Sequence, residues 1–359
     1  RGIRADYYIS PKVWAWKEWR VKKIKKHVSS MYSILPFEVA FYARHGYKAV
    51  YVGNPSVQEM DYALGHLPPV KHFIERQGLG GDDRPLIALL PGSRKGEIRN
   101  NLPLMIEAAK RFPEFRYVVA AAPAVPERFY RETAQDPGLP VVFGCTPTLL
   151  KYSRAALVTS GTATLETALV GTPQVVCYRA NGKKLSYKIM EKLLKVKYVS
   201  LPNLIVGNQV VPELLVHNCT VDSIARELSS LLQNSPQREW QVNSYKAMRR
   251  KLGTSVASKY AAELLVDSLR PGLAAGALAS AEAVQPVAAV SCDADAAPRP
   301  RKPRRRRPQT EGEAAPKTKS VAAESRKPDV ADSAEQTGPP RPRPRRRKPR
   351  PRPRTETSE

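Results

Sequence analysis

Two short segments carry the residue types that hold a phosphorylated ligand. Pro91-Gly92-Ser93-Arg94 follows an apolar run at 86–90 and precedes a helical pattern. A strand-to-helix turn of this kind aims free backbone N–H groups above the carboxyl end of a sheet, where they favour an anion. Gly92 lets the backbone come close, Ser93 caps or donates, and Arg94 offers a two-pronged fork suited to phosphate. An ordinary capped turn with a solvated arginine is the alternative reading of this tetrapeptide alone. The second segment, SGTATLE at 160–166, repeats the arrangement with Ser160, Gly161 and Thr162. Glu166 follows Thr162 by four residues on one helical face, where a carboxylate can accept from a ribose diol. A glutamate favoured by the helix dipole is the plainer reading. Two such junctions in one open sheet would face one crevice.

Other chemistries lose support. Neither junction has GxGxxG or GxxxxGK[ST] spacing, which weakens hydride transfer and P-loop phosphoryl transfer. Asp293-Ala294-Asp295 spells a metal-sugar motif but lies in an Ala-rich stretch, and no other His/Asp/Glu grouping has ligand spacing, so no metal and no cofactor is expected. Cys145, Cys177, Cys219 and Cys292 form no CxxC pair, and the first two sit in apolar runs as reduced thiols. Trp14, Trp16 and Trp19 mix with Lys17, Lys22, Lys23, Lys25 and Lys26. A helix with one packed and one solvated side explains this mixture; so does a surface resting on anionic lipid headgroups, with Trp14, Trp16, Trp19, Lys22 and Lys23 facing the membrane.

The elements that must position these residues form two α/β blocks. Strands are expected at 7–9, 31–35 and 49–52, with helices at 13–28 and 37–45 between them. Residues 56–84 are polar and rich in Pro and Gly, and read as a connection between domains. The second block starts with the strand at 86–90. Further strands follow at 117–122, 141–143, 155–159 and 174–178, with helices after each phosphate-type turn, at 163–170 and at 221–232. A loop is expected after Tyr198. The amphipathic stretch at 240–269 is long enough to return to the first block. Short apolar strands alternating with helices indicate parallel sheets covered on both faces, a doubly wound α/β class.

Composition bounds the rest. The 359 residues carry a net charge of +26, which favours anionic partners. No run of 18 apolar residues spans a bilayer, and no signal peptide is apparent at the start. The last aromatic is Tyr260, and 15 of the 33 prolines follow residue 270. Such a segment cannot bury enough apolar surface to order itself, so 271–359, with its Arg/Pro clusters at 299–308 and 341–354, is expected to be a disordered tail. The chain opens on Arg1 in what reads as the middle of a fold, and an N-terminal segment is expected to precede it.

Taken together, the segments resemble the lipid-A-disaccharide synthases. The carriers are YYISPKVWAWK at 7–17, ILPFEVAFY at 34–42, VGNP at 52–55, LLPGSRKGEI at 89–98, SGTATLETAL at 160–169 and YVSLPNLIVG at 198–207. The resemblance implies a GT-B type architecture, two Rossmann-like domains facing a cleft. Residues 1–55 would be an incomplete acceptor domain and 85–235 the UDP-sugar domain, with 236–270 returning to the first. It implies an inverting, metal-free hexosyltransferase that moves 2,3-diacylglucosamine from UDP-2,3-diacylglucosamine to 2,3-diacylglucosamine 1-phosphate and releases UDP. Gly92, Ser93 and Arg94 would meet the diphosphate, Ser160, Gly161 and Thr162 would add donors, and Glu166 would meet the ribose. Asn203 and Glu213 would lie near the donor. The family's glycine-rich opening and its acidic catalytic base are not among these residues, so the base is expected to precede Arg1. VGNP stands where many members have VGHP. A peripheral position on the cytoplasmic face of the inner membrane and a homodimer are further implications. Other UDP-sugar epimerases and transferases of this architecture share parts of the pattern. A reading of another class is a basic adaptor that binds RNA or anionic membrane through the Arg/Pro tail.

Overall fold

The computed structural model describes residues 3–15, 17–179 and 197–270. Apolar runs of strand length, each too short to fill a helix, set the sheets. β1 (Asp6–Tyr8), β2 (Ser30–Ser33) and β3 (Val50–Tyr51) form a small parallel sheet in chain order. α1 (Val21–His27) and α2 (Pro36–Arg44) connect them. Two helices follow, α3 (Pro55–Gly65) and α4 (Val70–Arg76), before the second sheet begins.

That sheet contains β4 (Leu86–Leu90), β5 (Arg116–Ala121), β6 (Val141–Phe143), β7 (Ser153–Thr159), β8 (Gln174–Tyr178) and β9 (Glu213–Leu215). Its helices are α5 (Lys95–Ala109), α6 (Glu127–Ala134), α7 (Thr146–Tyr152), α8 (Thr162–Val170), α9 (Leu201–Val206) and α10 (Val221–Leu232). α11 (Pro236–Leu252) and α12 (Ala257–Leu269) close the described chain. The strands run parallel in the order β6-β5-β4-β7-β8-β9. Chain order therefore reverses between β4 and β7, and open sheets bind ligands above the strand ends at such a reversal.

Alternation along the strands fills two separate cores. Ala88, Leu90, Ala156 and Val158 face α7, α8, α9 and α11. Ile87, Leu89, Ala155 and Leu157 face α5, α6 and α10. Each fully buried Leu or Ile contributes about 1.5–3 kcal/mol, which is why strands buried on both faces read as unbroken apolar runs.

Four stretches differ from the sequence expectation. The helix expected over 13–28 is a turn at 13–15, a 3-10 turn (Glu18–Arg20) and the short α1. Trp14 is drawn inward there, onto Glu38 and the ring of Phe37, which bends the chain before the helix can start. The connection at 56–84 holds α3 and α4, because Pro55 occupies a first helical turn where no N–H is missed, and Val57, Met60 and Phe73 are buried. The loop expected after Tyr198 contains α9. The stretch at 240–269 is two helices parted at Gly253, whose φ of +68° suits glycine. The tail at 271–359, Asp293, Asp295, Cys292 and Trp16 lie outside the described residues.

Candidate functional site

The two phosphate-type turns sit side by side because their strands do. β4 and β7 pair in parallel with Leu90 opposite Val158, so Pro91–Arg94 and Ser160–Thr162 leave the same end of adjacent strands. This is the point at which strand order reverses. Each turn feeds the N-terminus of a helix, α5 or α8, and their unpaired N–H groups concentrate positive potential in one corner.

Gly92 holds φ +117°, and a Cβ there would stand 2.7 Å from Glu97 Cβ and Oε2. Only glycine fits both the conformation and the space. Ser93 donates its backbone N–H to Glu97 Oε2 at 3.1 Å. Arg94 reaches Glu97 Oε1 from Nη1 at 2.9 Å, with its side chain 82% exposed and free to turn toward a ligand. At the second turn Gly161 adopts φ +157° and ψ −160°, and Thr162 opens α8 exposed to solvent. Glu166 lies half-buried one turn further on; burial, and secondarily the facing charge of Glu59 on α3, push its carboxyl above the usual range.

Asn203 and Glu213 are joined to each other rather than to these turns. Asn203 is fully buried. Its Nδ2 donates to Glu213 Oε1 at 2.7 Å and to the Val211 carbonyl at 2.9 Å, while its Oδ1 accepts from the N–H groups of Val210 and Val211. Glu213 accepts from the N–H groups of Val199 and Ser200 and from Ser200 Oγ at 2.6 Å, capping the start of α9. With both side chains engaged in the protein, the pair holds the 199–213 segment in shape.

The membrane-side candidates divide. Trp14 is partly buried: its Nε1 donates to Glu38 Oε1 at 2.9 Å, and it packs edge-on against Phe37 with centroids 5.0 Å apart. Burial raises the Glu38 carboxyl above its ordinary value, against the bonds from Ser33 and Trp14. Trp19 is 62% exposed with Lys23 Nζ 5.9 Å from its ring, and Lys22 and Lys23 project from α1 into solvent. A shallow cleft of about 440 Å³ beside them is lined by Glu18, Trp19, Val21, Lys22, Lys25 and His45.

Four residues went unnoticed in the sequence: Glu97, Glu59, Asn101 and Thr159. Glu97 had a readable signal, a carboxylate three residues after the helix cap. Asn101 is fully buried on α5 and accepts from the Arg179 N–H at 2.8 Å, tying β8's exit to that helix. Among the described residues no helix is long and apolar enough to cross a membrane, and no group of three or more His, Cys, Asp or Glu side chains is placed to hold a metal ion.

Residues 3–266 match the family model of lipid-A-disaccharide synthetase. The lipid-A-disaccharide synthase of Myxococcus xanthus is 41% identical over 280 residues, spanning 76% of this chain and 70% of that protein. That of Acidobacterium capsulatum is 37% identical over 286 residues, spanning 73% and 68%. Among solved structures, the UDP-GlcNAc 2-epimerase of Neisseria meningitidis bound to UDP-GlcNAc is similar over 67% of this chain and 62% of its own, at 17% identity and a TM-score of 0.47.

Proposed function

As the chain belongs to the lipid-A-disaccharide synthase family, we propose that the corner between β4 and β7 is where it holds the UDP end of its donor. The protein is a hexosyltransferase of lipid A biosynthesis, acting on a nucleotide sugar and a lipid acceptor. In the finer reading the donor is UDP-2,3-diacylglucosamine, the acceptor 2,3-diacylglucosamine 1-phosphate, and the two sheets form the halves of a GT-B type cleft. Residues 1–55 then belong to the acceptor half and 85–235 to the donor half.

One observation carries the site assignment: two helix N-termini with small, donor-rich turns leave adjacent strands where sheet order reverses. The chemistry follows from what such a corner does to a leaving group. As the bond from the anomeric carbon to the β-phosphate oxygen breaks, negative charge builds on UDP. The N–H groups of 92–94 and 160–162 and the Arg94 fork meet that charge and lower the barrier to its departure. Glu166, as a carboxylate, accepts from the ribose hydroxyls and fixes the nucleoside. The acceptor hydroxyl attacks the anomeric carbon from the opposite face of the sugar and gives its proton to a general base, which leaves the product inverted. Asn203 and Glu213 serve by keeping the neighbouring 199–213 segment in place.

A peripheral position on the cytoplasmic face of the inner membrane is part of the same reading. The support for it is the surface of the 3-10 turn and α1, where Trp19 suits the headgroup region and Lys22 and Lys23 suit anionic phosphates. A homodimer is a further element of the proposal, taken from the resemblance.

The test is calorimetric titration of UDP and ADP into the chain, Arg94→Ala and Glu166→Ala. UDP is expected to bind in preference to ADP. Each variant should weaken it by roughly tenfold or more, about 1.4 kcal/mol. Unchanged UDP affinity in both folded variants would remove the site from this corner.

A further inference from the structure

The anion-ready corner at the end of β4 is already filled, by the chain's own Glu97. Oε2 accepts from the Ser93 N–H at 3.1 Å and Oε1 from Arg94 Nη1 at 2.9 Å, two of the groups assigned above to a diphosphate. The turn is moulded around that carboxylate, since a Cβ on Gly92 would lie 2.7 Å from Glu97 Oε2. Glu97 is 22% exposed, while the arginine it holds is 82% exposed. A negative charge thus sits between donors whose outer side is open to solvent.

A second buried group, at the end of the neighbouring strand β7, has no partner. Thr159, the last residue of β7, is 4% exposed, and its Oγ1 makes no hydrogen bond. Among the described residues only Gln174 Oε1 shares that condition. Thr159 alternates with Ala155 and Leu157, which face α5, so its hydroxyl lies on the α5 side at the end of the sheet where α5 begins. Buried hydroxyls are normally paired, and this one has a donor to offer.

We propose that Glu97 is a resident anion: it fills the diphosphate cradle while the donor is absent and releases the Ser93 N–H and Arg94 when a nucleoside diphosphate enters. Thr159 Oγ1 then donates to the incoming phosphate oxygens. The inference rests on the donor-site reading above. Exchange of one anion for another keeps the donors paired in both states, so the cradle is never left desolvated and empty. It also moderates affinity for the departing UDP, because the returning carboxylate competes with the product after each turnover.

The test titrates UDP and uridine into the full chain, Glu97→Gln and Thr159→Val. Glu97→Gln should tighten UDP roughly five- to twentyfold and leave uridine unchanged, because only the diphosphate competes with the carboxylate. Thr159→Val should weaken UDP roughly three- to tenfold, again without effect on uridine. Equal or weaker UDP binding in Glu97→Gln overturns the proposal and makes Glu97 a fixed cap that holds Arg94. Unchanged affinity in Thr159→Val overturns the part given to its hydroxyl. If Glu97→Gln does not fold, the wild-type chain decides through the Ser93 amide and Glu97 carboxylate resonances under saturating pyrophosphate. Both should move, and immobility of both overturns the exchange. A wild-type chain that binds no UDP defeats the donor-site reading and this inference with it; a wild-type chain that binds while Glu97→Gln binds no tighter defeats this inference alone.

Discussion

The two sheets of this protein are stabilised in different ways. In the six-stranded sheet every residue of β4 is buried, and most of both covering layers comes from helices threaded between its own strands or just after them, with Val57, Met60 and Phe73 of α3 and α4 joining one core. In the three-stranded sheet Tyr7 and Tyr8 of β1 are exposed, and only one face is covered by neighbours in sequence, through Val21, Ile24, Met31, Phe41 and Tyr42. Its other face, at Tyr32 and Val52, is covered by Ala257, Ala261 and Leu264 of α12, some two hundred residues later. Polar ties reinforce that distant cover: Tyr51 Oη donates to the Leu252 carbonyl at 2.7 Å, Arg4 to the Ser268 carbonyl at 3.0 Å, and Arg249 pairs with Asp61 on α3. The sheet that carries the phosphate-type corner is covered mainly by its own helices, whereas one face of the smaller sheet is covered by the end of the described chain.

This difference can be broken or sharpened by substitution. The largest effect is expected at Leu157, fully buried at the centre of the larger sheet. Leu157→Ala should cost about 2–5 kcal/mol in urea unfolding and take UDP binding with it. A smaller, local effect is expected at Leu264. Leu264→Ala should cost roughly 2 kcal/mol and lower hydrogen-exchange protection in β2 and β3 while β4 and β7 keep theirs. Equal losses in both sheets would show that they unfold as one unit and would end the contrast.

The smallest effect concerns pH. Glu38 has its carboxyl raised above the ordinary value by burial. A carboxyl raised on folding binds its proton more tightly in the native state, so it contributes stability at low pH. That contribution is lost as pH rises from the ordinary carboxylate value through the raised one. Protection of β2 and β3 should therefore decline over that window. Glu38→Gln should flatten the decline, and an unaltered slope in the variant would assign the decline to another group.

What the sequence made legible follows the same division. The strand at Gln174–Tyr178 and the helix at Val221–Leu232 have the bounds their patterns indicate, because uninterrupted apolar runs and a clear helical period leave one choice. Around the first sheet, local signals compete with distant contacts. Trp14 belongs by composition to a basic, aromatic helix, yet the indole N–H is satisfied by Glu38, and the helix yields to that bond. Pro55 and Pro69 look like breakers but open α3 and α4, where proline is tolerated. At the site the glycine and hydroxyl turns were readable from spacing alone. Glu97 carried the signal of a first-turn carboxylate, but its bonds to the turn were not legible, because such a glutamate has the same appearance whether it caps or occupies a ligand's place. The bond between Asn203 and Glu213 was not legible, because a contact across ten residues of chain leaves no periodic signal.

Two turns on neighbouring strands of the larger sheet, in the reading proposed above, form one nucleotide-binding corner. Hydrogen exchange with and without saturating UDP tests it most directly. The account predicts joint slowing of amides in 92–97 and 160–164, with β1, β2 and β3 unchanged. Saturable UDP binding that slows neither segment, or only one of them, would contradict it.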